Sequence, residues 1–182
     1  RDPGFTWAPS LVTPACVATD RYRDTDDLAL MSSQWVWRLG RGILPDDVIS
    51  AIDGWCIGGG IDLVAATDIR LATAAARFSI RETRMAIVAD LGSLQRLVGV
   101  IGDGHLRELA LTGGNIDTAR AERIGLVNHV SASADELLHK ARELAAEIAA
   151  NAPLVVRGIK DVLDAERAPR VEAGLRYVAA WN

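Results

Sequence analysis

Residues 51 to 63 read Ala51-Ile52-Asp53-Gly54-Trp55-Cys56-Ile57-Gly58-Gly59-Gly60-Ile61-Asp62-Leu63. Three consecutive glycines separate an apolar run from a helix-like segment, and a carboxylate follows at once. Glycines after a strand let the backbone approach a ligand closely, and the next helix points its first N–H groups at whatever lies there. Such a stretch binds a phosphate, holds an oxyanion, or simply lets a helix pack tightly on a strand. The phosphate fingerprints fail: a G-x-G-x-x-G from Gly58 finds Leu63 in place of its last glycine, and a P-loop from Gly54 meets Gly60-Ile61 where it needs Lys-Ser/Thr. The oxyanion and packing readings both stay open.

Around this stretch lies a chain of 182 residues, 49% hydrophobic and 24% charged, which suits a globular fold with a sizeable core. Its net charge of −4 argues against nucleic acid or an anionic membrane as a partner. Cys16 and Cys56 are too few for a disulfide framework, so a reducing, cytoplasmic location is expected. No apolar stretch has transmembrane length and no basic-then-apolar leader is visible. Arg1 stands first rather than Met, as in a fragment of a longer polypeptide.

Three segments are expected along the chain. Residues 1–46 hold Pro3, Pro9 and Pro14 in a loop-like stretch, then a helix over Asp27–Leu39, broken by Gly40, Gly42 and Pro45. Residues 47–130 carry strands at Asp47–Ile52, Ile69–Ala72, Phe78–Ile80 and Leu126–Val130. Helices are expected there at Gly60–Ala66, Leu91–Gly102, His105–Leu111 and Thr118–Ile124. Residues 131–182 are helical: Ser133 and Glu136 form a capping-box pattern before Leu137–Ala150, Pro153 opens another helix, and a last one covers Val171–Trp181. Strands early and helices late make an α/β protein.

Few side chains suit catalysis. Gly92-Ser93-Leu94 lacks the second glycine of a nucleophile elbow. His105, His129 and His139 show no metal-ligand spacing, and Lys140 and Lys160 fit the solvated faces of amphipathic helices. Three acids remain. Asp90 follows the uncharged run Met85-Ala86-Ile87-Val88-Ala89, where desolvation would raise its pKa and suit it to proton transfer; a helix cap is the alternative. Glu82 stands between Arg81 and Arg84, so an exposed ion pair competes with a catalytic role. Asp62 fits a site residue or a simple partner for the helix dipole.

The run from Ala51 to Leu63 resembles the central motif of the crotonase (enoyl-CoA hydratase/isomerase) superfamily. The likeness continues through Asp68-Ile69-Arg70, Phe78-Ser79-Ile80-Arg81-Glu82, Gln95-Arg96-Leu97, Glu108-Leu109-Ala110-Leu111-Thr112-Gly113 and Gly125-Leu126-Val127-Asn128. At Ala89-Asp90-Leu91-Gly92, where hydratases usually carry a glycine-rich, proline-containing segment, the acid is similar to the Δ3,5,Δ2,4-dienoyl-CoA isomerase subgroup. The tail from Leu175 to Asn182 is similar to the same subgroup.

The resemblance implies a spiral of ββα units with a C-terminal helical trimerisation region, and a homotrimer or a hexamer of two trimers. It implies an acyl-CoA thioester substrate, with CoA part of that substrate and no separate cofactor or metal. Gly59 would offer an oxyanion N–H to the thioester carbonyl, Glu82 and Asp90 would be the paired acid and base, and Asp62 would polarise or orient the site. Hydration of a 2-enoyl-CoA is the neighbouring activity, and a non-catalytic acyl-CoA-binding subunit the reading from another class. The family's second oxyanion donor, on an upstream small-residue-Gly-x-Asp loop, is not found in residues 1–46, so the N-terminal part of the fold is expected to be missing.

Overall fold

The computed structural model of the protein describes residues 17–18 and 48–182. The helix expected at Asp27–Leu39 lies outside the described residues. Within the stretch read as loop, Val17–Ala18 is a short strand, β1.

Two sheets are built from strands that each run straight, turn a corner and resume. β2 (Val48–Ile52) turns at Asp53-Gly54 into β3 (Trp55–Ile57), and β4 (Ile69–Thr73) turns into β5 (Arg77–Ser79). With β6 (Ile116–Asp117) and β7 (His129–Ser131), they form one sheet in the order β1-β2-β4-β7 and a second in the order β3-β5-β6. β2–β4, β4–β7 and β3–β5 are parallel pairs. The two corners are tied together, since Arg77 N donates to Gly54 O at 2.9 Å and Thr73 Oγ1 to Asp53 Oδ1 at 2.6 Å. β3 was not expected: three residues with an exposed Trp55 give too short a run to show a period.

β2 is buried at all five positions, as befits a parallel strand covered on both faces. Its alternate residues serve two cores. Ile49 and Ala51 pack with Leu71 against Leu137, Ala141 and Ala145 of α4 (Ala134–Ala149), while Ile52 faces the main core with Phe78, Leu97 and Leu126. Phe78 is only 1% exposed, and truncating such a side chain to Ala costs about 3–5 kcal/mol.

The main core is closed by α1 (Gly59–Ala65), α2 (Ser93–Thr112) and α3 (Thr118–Arg123). The two helices expected over Leu91–Leu111 are found as the two halves of α2, separated by Gly102, whose φ of 77° and ψ of 159° are not helical. α4 starts with the expected cap: Ser133 Oγ accepts from Glu136 N at 3.2 Å, and Glu136 reaches back to Ala132 N at 2.8 Å. The last two expected helices, by contrast, are continuous as α5 (Pro153–Trp181), which carries Pro169 in its interior. No helix among the described residues is long and apolar enough to cross a membrane.

Several motif residues hold this frame together rather than face a ligand. Arg70 is buried and donates to Leu126 O (2.8 Å) and Thr67 O (2.7 Å), and its backbone is bracketed by Asn128. Asp68 accepts from Val48 N at 2.8 Å and from Lys160 Nζ at 2.6 Å. Lys160 is therefore part of a half-buried ion pair, not the solvated face expected of it.

Candidate active site

β3 and β5 are parallel and in register, Ile57 opposite Ser79. Their carboxyl ends therefore open side by side, the usual place for a ligand in an α/β sheet. The glycine run leaves β3 there and Glu82 leaves β5 there, joined by the hydrogen bond from Gly58 N to Ser79 O at 3.0 Å.

The three glycines have different reasons to be glycine. Gly58 caps α1 with φ 54°, in the left-handed region, and a Cβ on it would stand 3.2 Å from Glu82 Oε1. Gly60 would place a Cβ at ordinary contact, 3.6 Å from Cys56 Sγ. Gly59 is exposed, and a Cβ there would meet nothing within 4 Å. Packing alone therefore does not require glycine at position 59. Its N–H, first in the helix, has no carbonyl within α1 to bond and no partner elsewhere among the described residues.

Glu82 opens a 3-10 turn, Glu82–Met85. It is buried, and neither Arg81 nor Arg84 pairs with it: Arg81 bonds Ser79 Oγ and Asn115, and Arg84 bonds Thr112 O. The exposed ion pair is thereby ruled out. Glu82 Oε2 is buried with no hydrogen-bond partner, a costly state for a structural carboxylate. Burial raises its pKa above the ordinary glutamate range, and the charges of Asp62 and Asp90 push the same way, against backbone hydrogen bonds at Glu82 and Arg81.

Asp62 lies one turn into α1, buried, and its Oδ1 accepts from Ser93 N at 3.0 Å. It thus caps the first turn of α2 rather than serving only its own helix. Burial raises its pKa and Asp90 adds to the rise, while hydrogen bonding from Ser93 and the charge of Arg96 oppose it. Asp90 differs from what its neighbours in sequence suggest. Its side chain is exposed, as are Met85 and Ile87; Ala89 is buried. It does not cap α2, because Gly92 (φ 105°) is the residue before that helix and the carboxylate bonded to its first N–H is that of Asp62. The low-dielectric surroundings expected for Asp90 belong instead to Asp62 and Glu82.

Sequence reasoning did not foresee Arg96 at this site. It is 2% exposed, donates from Nη1 to Leu91 O at 2.8 Å, and lies so close to Gly92 that a Cβ there would be 2.0 Å away. Cys56 is no nucleophile: burial, then the charge of Asp62, pushes its thiol up to about 12. No three His, Cys, Asp or Glu side chains among the described residues gather as a metal-binding group. A groove of about 520 Å³ lies at the other ends of β2 and β4, lined by Val48, Ile69 and Lys160, and contains none of the three acids.

A glycine-bared helix start, a buried carboxylate beside it and two more acids in electrostatic reach match the motif positions of one family. The family model for enoyl-CoA hydratase/isomerase matches residues 38–179. The chain belongs to this family. It is 51% identical over 134 residues to the mitochondrial Delta(3,5)-Delta(2,4)-dienoyl-CoA isomerase of Dictyostelium discoideum, covering 74% of this chain and 46% of that protein. The peroxisomal Delta(3,5)-Delta(2,4)-dienoyl-CoA isomerase of Arabidopsis thaliana is 48% identical over 135 residues, 74% of this chain and 49% of that protein. The chain thus spans about half the length of these relatives. Among solved structures, the enoyl-CoA hydratase of Mycobacterium smegmatis superposes with a TM-score of 0.68 at 33% identity, over 74% of this chain and 61% of that one. The α/β crotonase architecture with a helical C-terminal region is the one found.

One expectation is overturned. These enoyl-CoA hydratase/isomerase relatives are mitochondrial or peroxisomal, not cytoplasmic. Two cysteines without a disulfide framework speak only for a reducing environment, and organelle matrices meet that condition as well as the cytosol does.

Proposed function

We propose that this chain carries the active centre of a dienoyl-CoA isomerase, converting a 3,5-dienoyl-CoA to the 2,4-dienoyl-CoA in fatty-acid β-oxidation. The observation that supports the reading is Glu82 against Gly58, the residue before the open amide of Gly59, with the charges of Asp62 and Asp90 acting on its carboxylate. Moving the two double bonds toward the thioester means removing a proton from C2 and delivering one to C6. Glu82, with its unpartnered Oε2 and raised pKa, takes the C2 proton. The resulting dienolate places its charge largely on the thioester oxygen, where the Gly59 N–H stabilises it. Asp90 delivers the proton at C6, and Asp62 orients the site while capping α2. The shuttle runs on carboxylates and an amide, with CoA as part of the substrate.

The test is Asp90→Asn in the intact protein, followed by ultraviolet absorbance of the 2,4-dienoyl product. Isomerisation falls by about 10²-fold or more, the scale of a lost general acid or base, while Glu82→Gln abolishes it. Unchanged isomerisation in Asp90→Asn removes the reading. A second reading, hydration of a 2-enoyl-CoA, is favoured by the burial of Asp62 and Glu82 together, with Asp90 left exposed. It requires hydration of a short enoyl-CoA to survive Asp90→Asn and to be lost with Glu82→Gln. A non-catalytic acyl-CoA-binding subunit would show neither activity.

The assembly proposed is a homotrimer, or a hexamer of two trimers. Val171 and Val178 of α5 are buried within the chain, yet Leu154, Val162, Leu163, Tyr177 and Trp181 are each at least 69% exposed. A helix with that much bare apolar surface is suited to a subunit contact. Light scattering that finds only monomer at micromolar concentration refutes it.

A further inference from the structure

The backbone that carries Asp90 lacks the support that its role demands. From Val88 to Leu91, no N–H or C=O takes part in a backbone–backbone hydrogen bond among the described residues. The preceding turn closes at Ala86, a non-glycine residue in the left-handed region (φ 58°), and the following helix begins only after Gly92. Two side chains make the bonds that the backbone does not. Asn182 Nδ2 donates to Val88 O at 3.1 Å and its Oδ1 accepts from Val88 N at 3.2 Å, a reciprocal amide pair like a rung of a sheet. On the other side of Asp90, Arg96 Nη1 donates to Leu91 O at 2.8 Å.

We propose that Asn182 and Arg96 are positioning residues for Asp90, clamping the backbone two residues before it and one residue after it. The proposal rests on the reading of Asp90 as the proton donor at C6. Neither side chain touches reacting atoms on this account. A carboxylate on an exposed, otherwise unbonded stretch samples many positions, and proton transfer needs it within hydrogen-bond reach of one carbon. The clamp also explains Gly92. Its φ of 105° suits glycine, and any Cβ there would occupy the place of the Arg96 guanidinium, 2.0 Å from Nη1. The two anchors differ in kind: Arg96 is buried near the root of α2, whereas Asn182 is exposed and comes from the far end of α5. Through Asn182, the packing of α5 on α2, where Gly174 lies against Gln95, is connected to the position of the acid.

The experiment uses Asn182→Ala in the intact protein, because an exposed residue is removed without threatening the fold. Four quantities are read: amide hydrogen exchange at Val88, kcat and KM for dienoyl isomerisation, and exchange of the substrate C2 proton with D2O, which reports on Glu82. Val88 exchange accelerates, and kcat falls about tenfold, within the range set by roughly ångström misplacement of a catalytic group. KM and C2 exchange stay within about twofold, and in an Asp90→Asn background the substitution has no further effect, since both act through one group. Arg96→Lys, which retains the charge but not the guanidinium fork, shows the same split between kcat and C2 exchange. The clamp is refuted if Asn182→Ala keeps full isomerisation while Asp90→Asn loses it, or if C2 exchange falls in step with kcat. Intact isomerisation in Asp90→Asn is a different failure: it removes the isomerase reading itself and the clamp's catalytic purpose with it.

Discussion

Replacing Gly58 and Gly59 separately by alanine distinguishes a glycine kept for the backbone from one kept for chemistry. At Gly58 the φ of 54° costs an L-residue about 1–2 kcal/mol, and the new methyl would stand 3.2 Å from Glu82 Oε1, so the carboxylate must give way as well. A loss of that size lowers Tm by about 2–8 °C for a chain in this size range. At Gly59 there is no such penalty. The residue lies outside the left-handed region and its Cβ would meet nothing within 4 Å, so Ala there is neutral or stabilising by about 0.4–1 kcal/mol through the unfolded state. Its effect falls on catalysis. Ala keeps the N–H assigned to the thioester oxygen, and its methyl acts by displacing that oxygen; complete loss of one oxyanion bond, the upper bound, costs about 10²–10³ in kcat, or roughly 3–4 kcal/mol. Partial displacement of the thioester sets the lower bound at about tenfold. Thermal unfolding and dienoyl isomerisation are measured on both variants of the intact protein. The expected pattern is crossed: Gly58→Ala loses stability together with activity, Gly59→Ala loses activity alone. Full activity in Gly59→Ala would mean that the thioester does not lie against residue 59, and equal destabilisation by both would show that packing is what demands the glycines.

Asp62→Ala leaves the buried Ser93 N–H unpaired and costs about 1–3 kcal/mol in urea unfolding, whereas Asp62→Asn, which keeps the acceptor, costs clearly less; equal losses would refute the capping role. Glu82 contributes a pH-dependence of definite sign. Its native pKa is raised above 4.5, so between 4.5 and the raised value the native state binds more protons than the unfolded one, and stability is lost as pH rises through that window. Glu82→Gln therefore raises Tm at neutral pH, and the gain disappears once pH falls below about 4.5; a constant gain at all pH values would mean that desolvated charge is not the cause.

How much of this was legible in the sequence depends on how far apart the interacting residues stand. β2, β4, β5 and α1 were readable within a residue or so, because a buried parallel strand announces itself as a short apolar run bounded by turn residues. The cap of α4 was readable because Ser133 and Glu136 are three positions apart. Asp62 and Ser93 are 31 positions apart, and Asn182 and Val88 are 94 apart, so no local pattern records either contact. The helix end expected at Gly102 is there, as a non-helical residue, whereas the gap expected before Val171 is not, and α5 runs on through Pro169.

Asp90 shows a different kind of failure. The run Met85 to Ala89 is apolar in composition, and composition was taken to mean burial. Burial follows from orientation, and a segment without a repeating hydrogen-bond pattern has no period from which to read it. Ala89 turns inward while Met85 and Ile87 stand about half exposed, at 52% and 46%. The acid therefore sits on an apolar lip, not in an apolar pocket. On the proposed mechanism, its desolvation has to come from the acyl chain laid across that lip when substrate binds. Replacing both Met85 and Ile87 by Ser should then lower kcat for dienoyl isomerisation while leaving exchange of the substrate C2 proton, which reports on the buried Glu82, within about twofold. Unchanged kcat in that double variant would mean that the apolar lip plays no part in the environment of the acid.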